Sequence, residues 1–343
     1  MRRCFELARN GEGRVAPNPM VGAIIVHEGR IIGEGYHTQY GAPHAEVMAV
    51  NSVIDKSLLP YSTIYVSLEP CCHYGKTPPC SQLILDMGIP KAIIAATDPF
   101  PKVSGGGIKQ LKDNGVEVVV GILENEAREL NRFFYTYHQK KRPYIIIKWA
   151  ESIDGFLDSE RAANEPPAKI TGLTSNTLVH RWRTQIQSIM AGTHTVIRDN
   201  PQLTSRYWTG KNPLRITFDR HGRIPVNSAI FNDAADTLLF VPQINNNEYG
   251  DRTSQILVDF ENNTEESVLK ELYNRQIQSV FIEVGAQLNN SFIKKDLWDE
   301  IRICTGNIYL NEGVKDPAKP TVSPVTPSDI GNDNLLLYRK NHF

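Results

Sequence analysis

Short β-rich runs alternate with amphipathic stretches along nearly the whole chain, and this alternation constrains the fold more than any other feature. TIYVSL is followed by SQLILDMG, and KAIIAATD by GIKQLKDNG and then VEVVVGI, with Gly88 and Gly115 closing the helical stretches. Parallel strands need long, usually helical, crossovers, so the pattern implies βαβ units and a partly parallel sheet with helices packed on it. Before these units, FELARNG reads as a helix end and MVGAIIVHEGRIIGEGYH as two strands about a Glu28-Gly29 turn; PHAEVMAVNSVI reads as a helix with Pro43 in its first turn. ENEARELNRFFYTYH reads as one further helix. The basic stretch Gln139 to Pro143 follows, and Pro143 disfavours helix at Arg142, which makes it the expected linker. The second half repeats the grammar with strands YIIIKWA, QSIMAG, LRITFD, TLLFV, SVFIEVG, IRICT and NLLLYR and helices SNTLVHRWRTQI and ESVLKELYNR. Asn245 to Arg252 and Lys315 to Pro327 read as surface loops. The expectation is two α/β domains, residues 1–138 and 144–343 joined by a linker at 139–143, which suits a chain of 343 residues.

Charge narrows the partners. Lys plus Arg is 37 and Asp plus Glu is 38, a net charge of −1, with no tract of like charge. That argues against a nucleic-acid partner held by phosphate electrostatics. The longest apolar runs fall far short of the ~20 residues needed to cross a bilayer. MRRCFELARNGEGR has no apolar core of the kind a signal peptide carries. The expectation is a cytoplasmic chain with neither a membrane nor a nucleic-acid partner. There are five cysteines, and Cys71, Cys72 and Cys80 lie within ten positions, which favours a metal site or reactive thiol over a disulfide framework.

His44-Ala45-Glu46 opens an expected helix, and the stretch Pro70-Cys71-Cys72-His73 to Cys80 runs from an expected strand into the next helix. One His, two Cys and a Glu two places after the His resemble the zinc nucleobase-deaminase signature, in which the Glu is not a ligand. Three protein ligands leave one tetrahedral position for water, whose pKa the metal lowers from about 15.7 towards about 7. Glu46 can then carry the proton to the leaving amine. In a first helical turn both His44 and Glu46 can project past the helix end, and a helix N-terminus favours thiolate at Cys80. Eight residues separate Cys71 from Cys80, where many deaminases have two, so Cys72 and His73 are rival ligands. A four-ligand structural zinc, or cysteines that merely line a core, are the alternatives.

In order, APNPMVGAIIV, GEGYH, PHAE, SLEPCCHYGKTPPC and DPFPKVSGGGI resemble the deaminase half of the bifunctional riboflavin-biosynthesis deaminase/reductase family. The likeness covers almost all of residues 1–138, and the wide cysteine spacing is that family's own variant. It implies a cytidine-deaminase-like three-layer domain in which His44, Cys71 and Cys80 bind zinc, Glu46 shuttles the proton, and Asn18, His37 and Lys76 belong to the substrate pocket.

In the second half no GxGxxG follows a strand, which disfavours a Rossmann site. KWAESIDG, THTVIRDNPQLTSR and FIEVGAQLNNSF resemble the reductase half of the same family, with coverage from about 144 to 300. The resemblance implies a dihydrofolate-reductase-like α/β domain that uses NADPH. Arg183, Leu203, Arg206 and Glu283 would face the substrate, while Ala150, Lys169, Thr195, Asp199, Arg220 and the loop from Gly285 to Ser291 would lie along the nucleotide. Arg183 or Arg206 would hold the substrate phosphate, since a guanidinium fork suits it. Two stretches depart from the family. Pro167-Ala168-Lys169-Ile170-Thr171 stands where relatives carry Ser-x-Trp-Ile-Thr, and TGNIYLNEGVKDPAKP after Cys304 lacks the usual apolar strand and glycine ending.

The expected function is therefore hydrolytic deamination of a phosphorylated pyrimidine followed by NADPH reduction of its ribosyl group, in a homo-oligomer. The alternatives are a zinc deaminase of another free or tRNA base with an appended non-catalytic nucleotide-binding domain, and a zinc-stabilised binding module.

Overall fold

The strand Gly22–His27 (β1) sends alternate side chains into two cores, and this sets the layering of the first half. Ile24 points to Cys4 and Leu7 of the helix Arg2–Arg9 (α1). Ala23 and Ile25 point the other way, to Ala45, Ala49 and Val50 of Ala45–Ser52 (α2), Ile84 of Cys80–Asp86 (α3) and Leu111 of Gly106–Asp113 (α4). Through Phe5 and Ala8, α1 also packs on Glu124–Leu130 (α5) and Arg132–Lys140 (α6). Helices thus cover both faces of one sheet, giving three layers. That sheet comprises β1, Arg30–Tyr36 (β2), Thr63–Val66 (β3), Lys91–Ile94 (β4) and Glu117–Val120 (β5), in the order β2-β1-β3-β4-β5. β1 is antiparallel to both neighbours, and β3, β4 and β5 run parallel.

This computed structural model describes residues 1–73, 78–101, 103–162, 165–283 and 285–340, and the chain divides into two units between Lys141 and Arg142. At the β1–β2 turn Glu28 and Gly29 take φ of 47° and 76°, the two positive values of a tight hairpin. A Cβ on Gly35 would lie 2.3 Å from the Ala49 nitrogen, so glycine is what lets α2 rest directly on β2. Three sequence expectations are corrected. Pro43 lies ahead of α2, whose N-cap is His44 in extended conformation. The single helix expected over 124–138 is two, broken at Asn131, whose side chain accepts a hydrogen bond from Met20 N–H and donates one to Met20 C=O. A side-chain bond to chain 111 residues away outweighs local helix continuity here. Gln139 and Lys140, expected in the linker, belong to α6, which ends where Lys141 turns to φ 55°.

In the second unit Tyr144–Glu151 (β6) is buried almost throughout, as a central parallel strand should be. After it come Phe156–Asp158 (β7), Leu173–Gln185 (α7), Ser188–Ala191 (β8), Thr193–Asp199 (α8), Leu214–Phe218 (β9), Thr237–Val241 (β10) and Thr253–Leu257 (β11). Thr264–Asn274 (α9), Ser279–Glu283 (β12), Ala286–Lys294 (α10), Glu300–Thr305 (β13), Val314–Lys315 (β14), Val325–Ile330 (β15) and Asp333–Arg339 (β16) complete it. The main sheet has the order β11-β10-β9-β8-β12-β6-β13-β16-β15, parallel from β11 to β13 and antiparallel beyond. Ile145, Ile147 and Trp149 of β6 share a core with Val268 and Leu272 of α9 and Phe292 of α10, so Lys148 faces the opposite side. The chain steps outward from β8 to β11 and returns to insert β12 between β8 and β6. Ligands of open α/β sheets bind beyond the carboxyl ends of strands where the order reverses in this way. The expected loop from Lys315 to Pro327 holds part of two strands. Pro327 is tolerated in β15 because that strand is the sheet edge, where no neighbour needs its missing N–H. Among the described residues, no helix is long and apolar enough to cross a membrane.

Candidate metal centre and reductase site

Three chain segments deliver the first site. His44 caps α2, Cys71 follows β3, and Cys80 opens α3. The His44 Nδ1 lies 3.6 Å from the Cys71 Sγ and 3.3 Å from the Cys80 Sγ, and the three donor atoms all lie within 4.8 Å of one another. Tetrahedral zinc with N and S ligands separates them by roughly 3.5 to 3.8 Å, so the set fits the metal. The Cys80 N–H donates to the Cys71 Sγ at 3.3 Å, and the Ser81 hydroxyl and N–H both hold the Cys71 carbonyl, at 3.0 and 3.1 Å. The Cys71 thiol is drawn down to about 4, by the hydrogen bond from Cys80 first and by His44 after it, while Cys80 is pushed up by the same bond and by burial. One of the two thiols therefore carries the charge a cation would need.

Glu46, in the first turn of α2, is 3% exposed. Burial first, and the neighbouring Cys71 charge second, raise its carboxyl to about 7. Beside it, the His37 Nδ1 bonds the Pro43 carbonyl at 3.1 Å and its Nε2 meets the Asn18 Nδ2 at 3.0 Å. A carbonyl only accepts, so Nδ1 carries the hydrogen and Nε2 accepts from Asn18, which makes the ring neutral. Burial lowers the His37 pKa, in keeping with that form. The His37 and His44 rings meet edge to face with centroids 5.5 Å apart. Asn18, His37, His44 and Glu46 thus share one corner, and Lys76 lies outside the described residues.

The rivals turn elsewhere. The Cys72 Sγ points to the Val103 carbonyl at 3.9 Å and to the place a Cβ on Gly106 would occupy, while the His73 ring packs on Phe100. Sequence reasoning missed Glu69. Its buried carboxylate accepts N–H bonds from Asp98, Gly105, Gly107 and Ile108, filling the start of α4 and fixing the loop that walls Cys72. An acidic residue at a strand end inside the motif SLEPCC was the available signal.

At the carboxyl end of β12, Glu283 accepts from the Arg183 Nε and Nη2 at 2.9 and 2.8 Å and faces Lys148 on β6 at 3.6 Å. Burial alone would raise the Glu283 carboxyl; Arg183 and Lys148 outweigh it and hold it below the usual range. The Arg183 Nη1 donates to the Thr204 carbonyl at 2.8 Å, so both ends of its fork are engaged within the protein, whereas Arg206 is exposed. Leu203 is buried with φ 53°, a costly conformation for leucine that turns the chain towards Arg183. The stretch from Gly285 to Ser291, expected as a loop, is instead the N-cap and first turns of α10, and a Cβ on Gly285 would lie 3.8 Å from the Thr195 Oγ1. Asp199, the last residue of α8, pairs with Arg161, which also pairs with Asp158. Ala150 lies near the end of β6 and Arg220 just past β9, paired with Glu261; Lys169 is exposed in the segment before α7.

A His and two Cys converging beside a buried Glu at the helix starts of a three-layer α/β unit define a zinc-deaminase class of protein, here with a second, parallel-sheet half. Residues 1–96 match the family described as the cytidine and deoxycytidylate deaminase zinc-binding region, and residues 143–313 match the RibD C-terminal domain. The riboflavin biosynthesis protein RibD of Aquifex aeolicus is 36% identical over 92% of this chain and 88% of its own length; that of Actinobacillus pleuropneumoniae is 38% identical over 88% and 81%. A Thermotoga maritima crystal structure, a diaminohydroxyphosphoribosylaminopyrimidine deaminase/5-amino-6-(5-phosphoribosylamino)uracil reductase, superposes with TM-score 0.90 at 36% identity over 99% of this chain and 97% of its own. The chain belongs to this RibD family of bifunctional riboflavin-biosynthesis deaminase/reductases. Since the match runs through both halves, the alternative of a base deaminase with an appended non-catalytic domain falls away.

Proposed function

We propose that the first unit hydrolytically deaminates the pyrimidine ring of 2,5-diamino-6-(ribosylamino)-4(3H)-pyrimidinone 5′-phosphate and that the second reduces the ribosyl group to ribityl with NADPH. The observation that carries this is the buried Glu46 carboxyl beside three converging donors. Zinc, when held by His44, Cys71 and Cys80, supplies the Lewis acidity that makes hydroxide available near neutral pH. Glu46 takes up a proton on its carboxylate and returns it to the departing amine, a duty that suits a group poised near 7. Because the Asn18 amide nitrogen is spent on His37, its carbonyl oxygen is the end that accepts a substrate N–H. Lys76 belongs to the same pocket by family likeness.

In the second unit NADPH supplies the hydride when bound. Glu283, kept ionised by Arg183 and Lys148, accepts hydrogen bonds from the substrate, and Leu203 shapes the wall beside it. With Arg183 engaged, the exposed Arg206 is the 5′-phosphate anchor. Thr195, Asp199 and Gly285, with Ala150, Lys169 and Arg220, lie along the nucleotide. The proposal includes a cytoplasmic homo-oligomer without a nucleic-acid partner; near-zero net charge and five cysteines joined by no disulfide support the setting.

The test is a coupled assay on the diamino substrate with NADPH, reading ammonia and NADPH loss separately. Glu46→Gln should retain zinc and lose ammonia release by roughly 10² to 10⁴, while NADPH is still consumed on pre-deaminated substrate. Near-normal ammonia release by that variant, or no NADPH consumption by the wild type on the deaminated compound, would overturn the corresponding half.

A further inference from the structure

We propose that His180 is a positioning residue for the reductase: its buried imidazole fixes the main chain at Arg206 and Tyr207 so that the exposed Arg206 guanidinium meets the substrate 5′-phosphate. This rests on the reading of Arg206 as the phosphate anchor.

The observations are geometric. His180 is 5% exposed and lies on α7 one turn before Arg183. Its Nδ1 accepts the Arg206 N–H at 2.7 Å and the Tyr207 N–H at 3.4 Å, and its ring packs against that of Tyr207 with centroids 4.6 Å apart. A ring nitrogen that accepts bears no hydrogen, so the imidazole is neutral with its proton on Nε2. Burial, then the charge of Arg183, pushes its pKa down to about 4, which preserves that acceptor at neutral pH. The charges felt at His180 are those of Arg183, Glu283, Arg206 and Lys148, which places it among the substrate-facing groups.

The segment from Asn200 to Pro213 contains no helix or strand, and from Arg206 to Lys211 it is exposed. Such a loop would spend conformational entropy each time it presented a cation. Here α7 pins it at two consecutive points by opposite means: the Arg183 Nη1 donates to the Thr204 carbonyl, and the His180 Nδ1 accepts from the Arg206 amide. Arg206 therefore leaves the buried scaffold from a fixed main-chain position, which a two-pronged phosphate contact requires.

The test uses the full-length enzyme, with reduction measured on the deaminated phosphoribosyl pyrimidine and on its dephosphorylated counterpart. His180→Leu, which removes the acceptor, should raise KM for the phosphorylated substrate roughly tenfold, leaving kcat, NADPH affinity and the dephosphorylated substrate nearly unchanged. His180→Asn, whose carbonyl oxygen takes the place of Nδ1, should restore KM. Arg206→Lys is the control for the underlying reading and should raise KM on the phosphorylated substrate alone. If it does so and His180→Leu does not, the positioning role is wrong. If it does not, the phosphate assignment fails and takes the proposal with it. Equal losses on both substrates, with weakened NADPH binding, would reduce His180 to a structural residue. Should His180→Leu fail to fold, His180→Gln, whose oxygen is displaced, should raise KM where His180→Asn does not; equal KM values for these two would also overturn the role.

Discussion

Cys71 and Cys72 are neighbours, yet one converges on His44 and Cys80 while the other is turned to the loop held by Glu69. The expected consequence is chemical: purified enzyme should carry one zinc per chain, Cys71→Ser or Cys80→Ser should lose it, and Cys72→Ser should keep it, read by metal analysis. A metal-free Cys72→Ser protein would sink the three-ligand assignment. The residue types of this centre were legible because catalytic zinc demands a particular donor set. Residue types alone left Cys71 and Cys72 as rivals and only the family likeness chose Cys71, since direction depends on how the chain leaves β3 and on four backbone N–H groups gathered by Glu69 from 29 to 39 residues away. His180 was hidden for the same reason: its partners are main-chain amides, which carry no sequence signature.

Among the elements, the β1–β2 hairpin and the βαβ units could be read directly, because local turn chemistry and periodicity decide them. The break at Asn131 could not, and it matters for α6. The last turn of α6 places His138 among Phe100, Phe134 and Tyr137, with ring centroids 4.5 to 5.1 Å away. Burial, and then the charge of Lys141, lowers its pKa from 6.5 to about 4. The unfolded chain binds this proton first as pH falls, so stability is lost from about pH 6.5 downward and the loss levels off below about 4. The linkage is worth at most about 3 kcal/mol, before allowance for partial exposure. His138→Phe keeps a ring in the stack and removes the titration. In urea unfolding its stability relative to wild type should rise between pH 7 and pH 4, and a pH-independent difference would show that His138 titrates normally.

At the scale of the molecule, each half holds its own sheet, its own core and a complete set of the residues proposed for its reaction. The zinc donors, Glu46, Asn18 and His37 fall within residues 1–141, and Arg183, Arg206, Glu283, Thr195 and Gly285 within 142–343. A unit of that size buries enough apolar surface to fold alone. The boundary is also a natural stop, since α6 ends at Lys141 in the left-handed region and Pro143 bars a continuation. A fragment of residues 1–141 should therefore fold, retain zinc and release ammonia at a rate close to that of the full chain, and residues 142–343 should consume NADPH on the deaminated substrate. Circular dichroism and metal content report the fold, and the two product assays report each chemistry. A 1–141 fragment that folds with zinc but releases no ammonia would mean that the deamination pocket draws on residues of the second half, and the division of labour proposed for the two units would have to be redrawn.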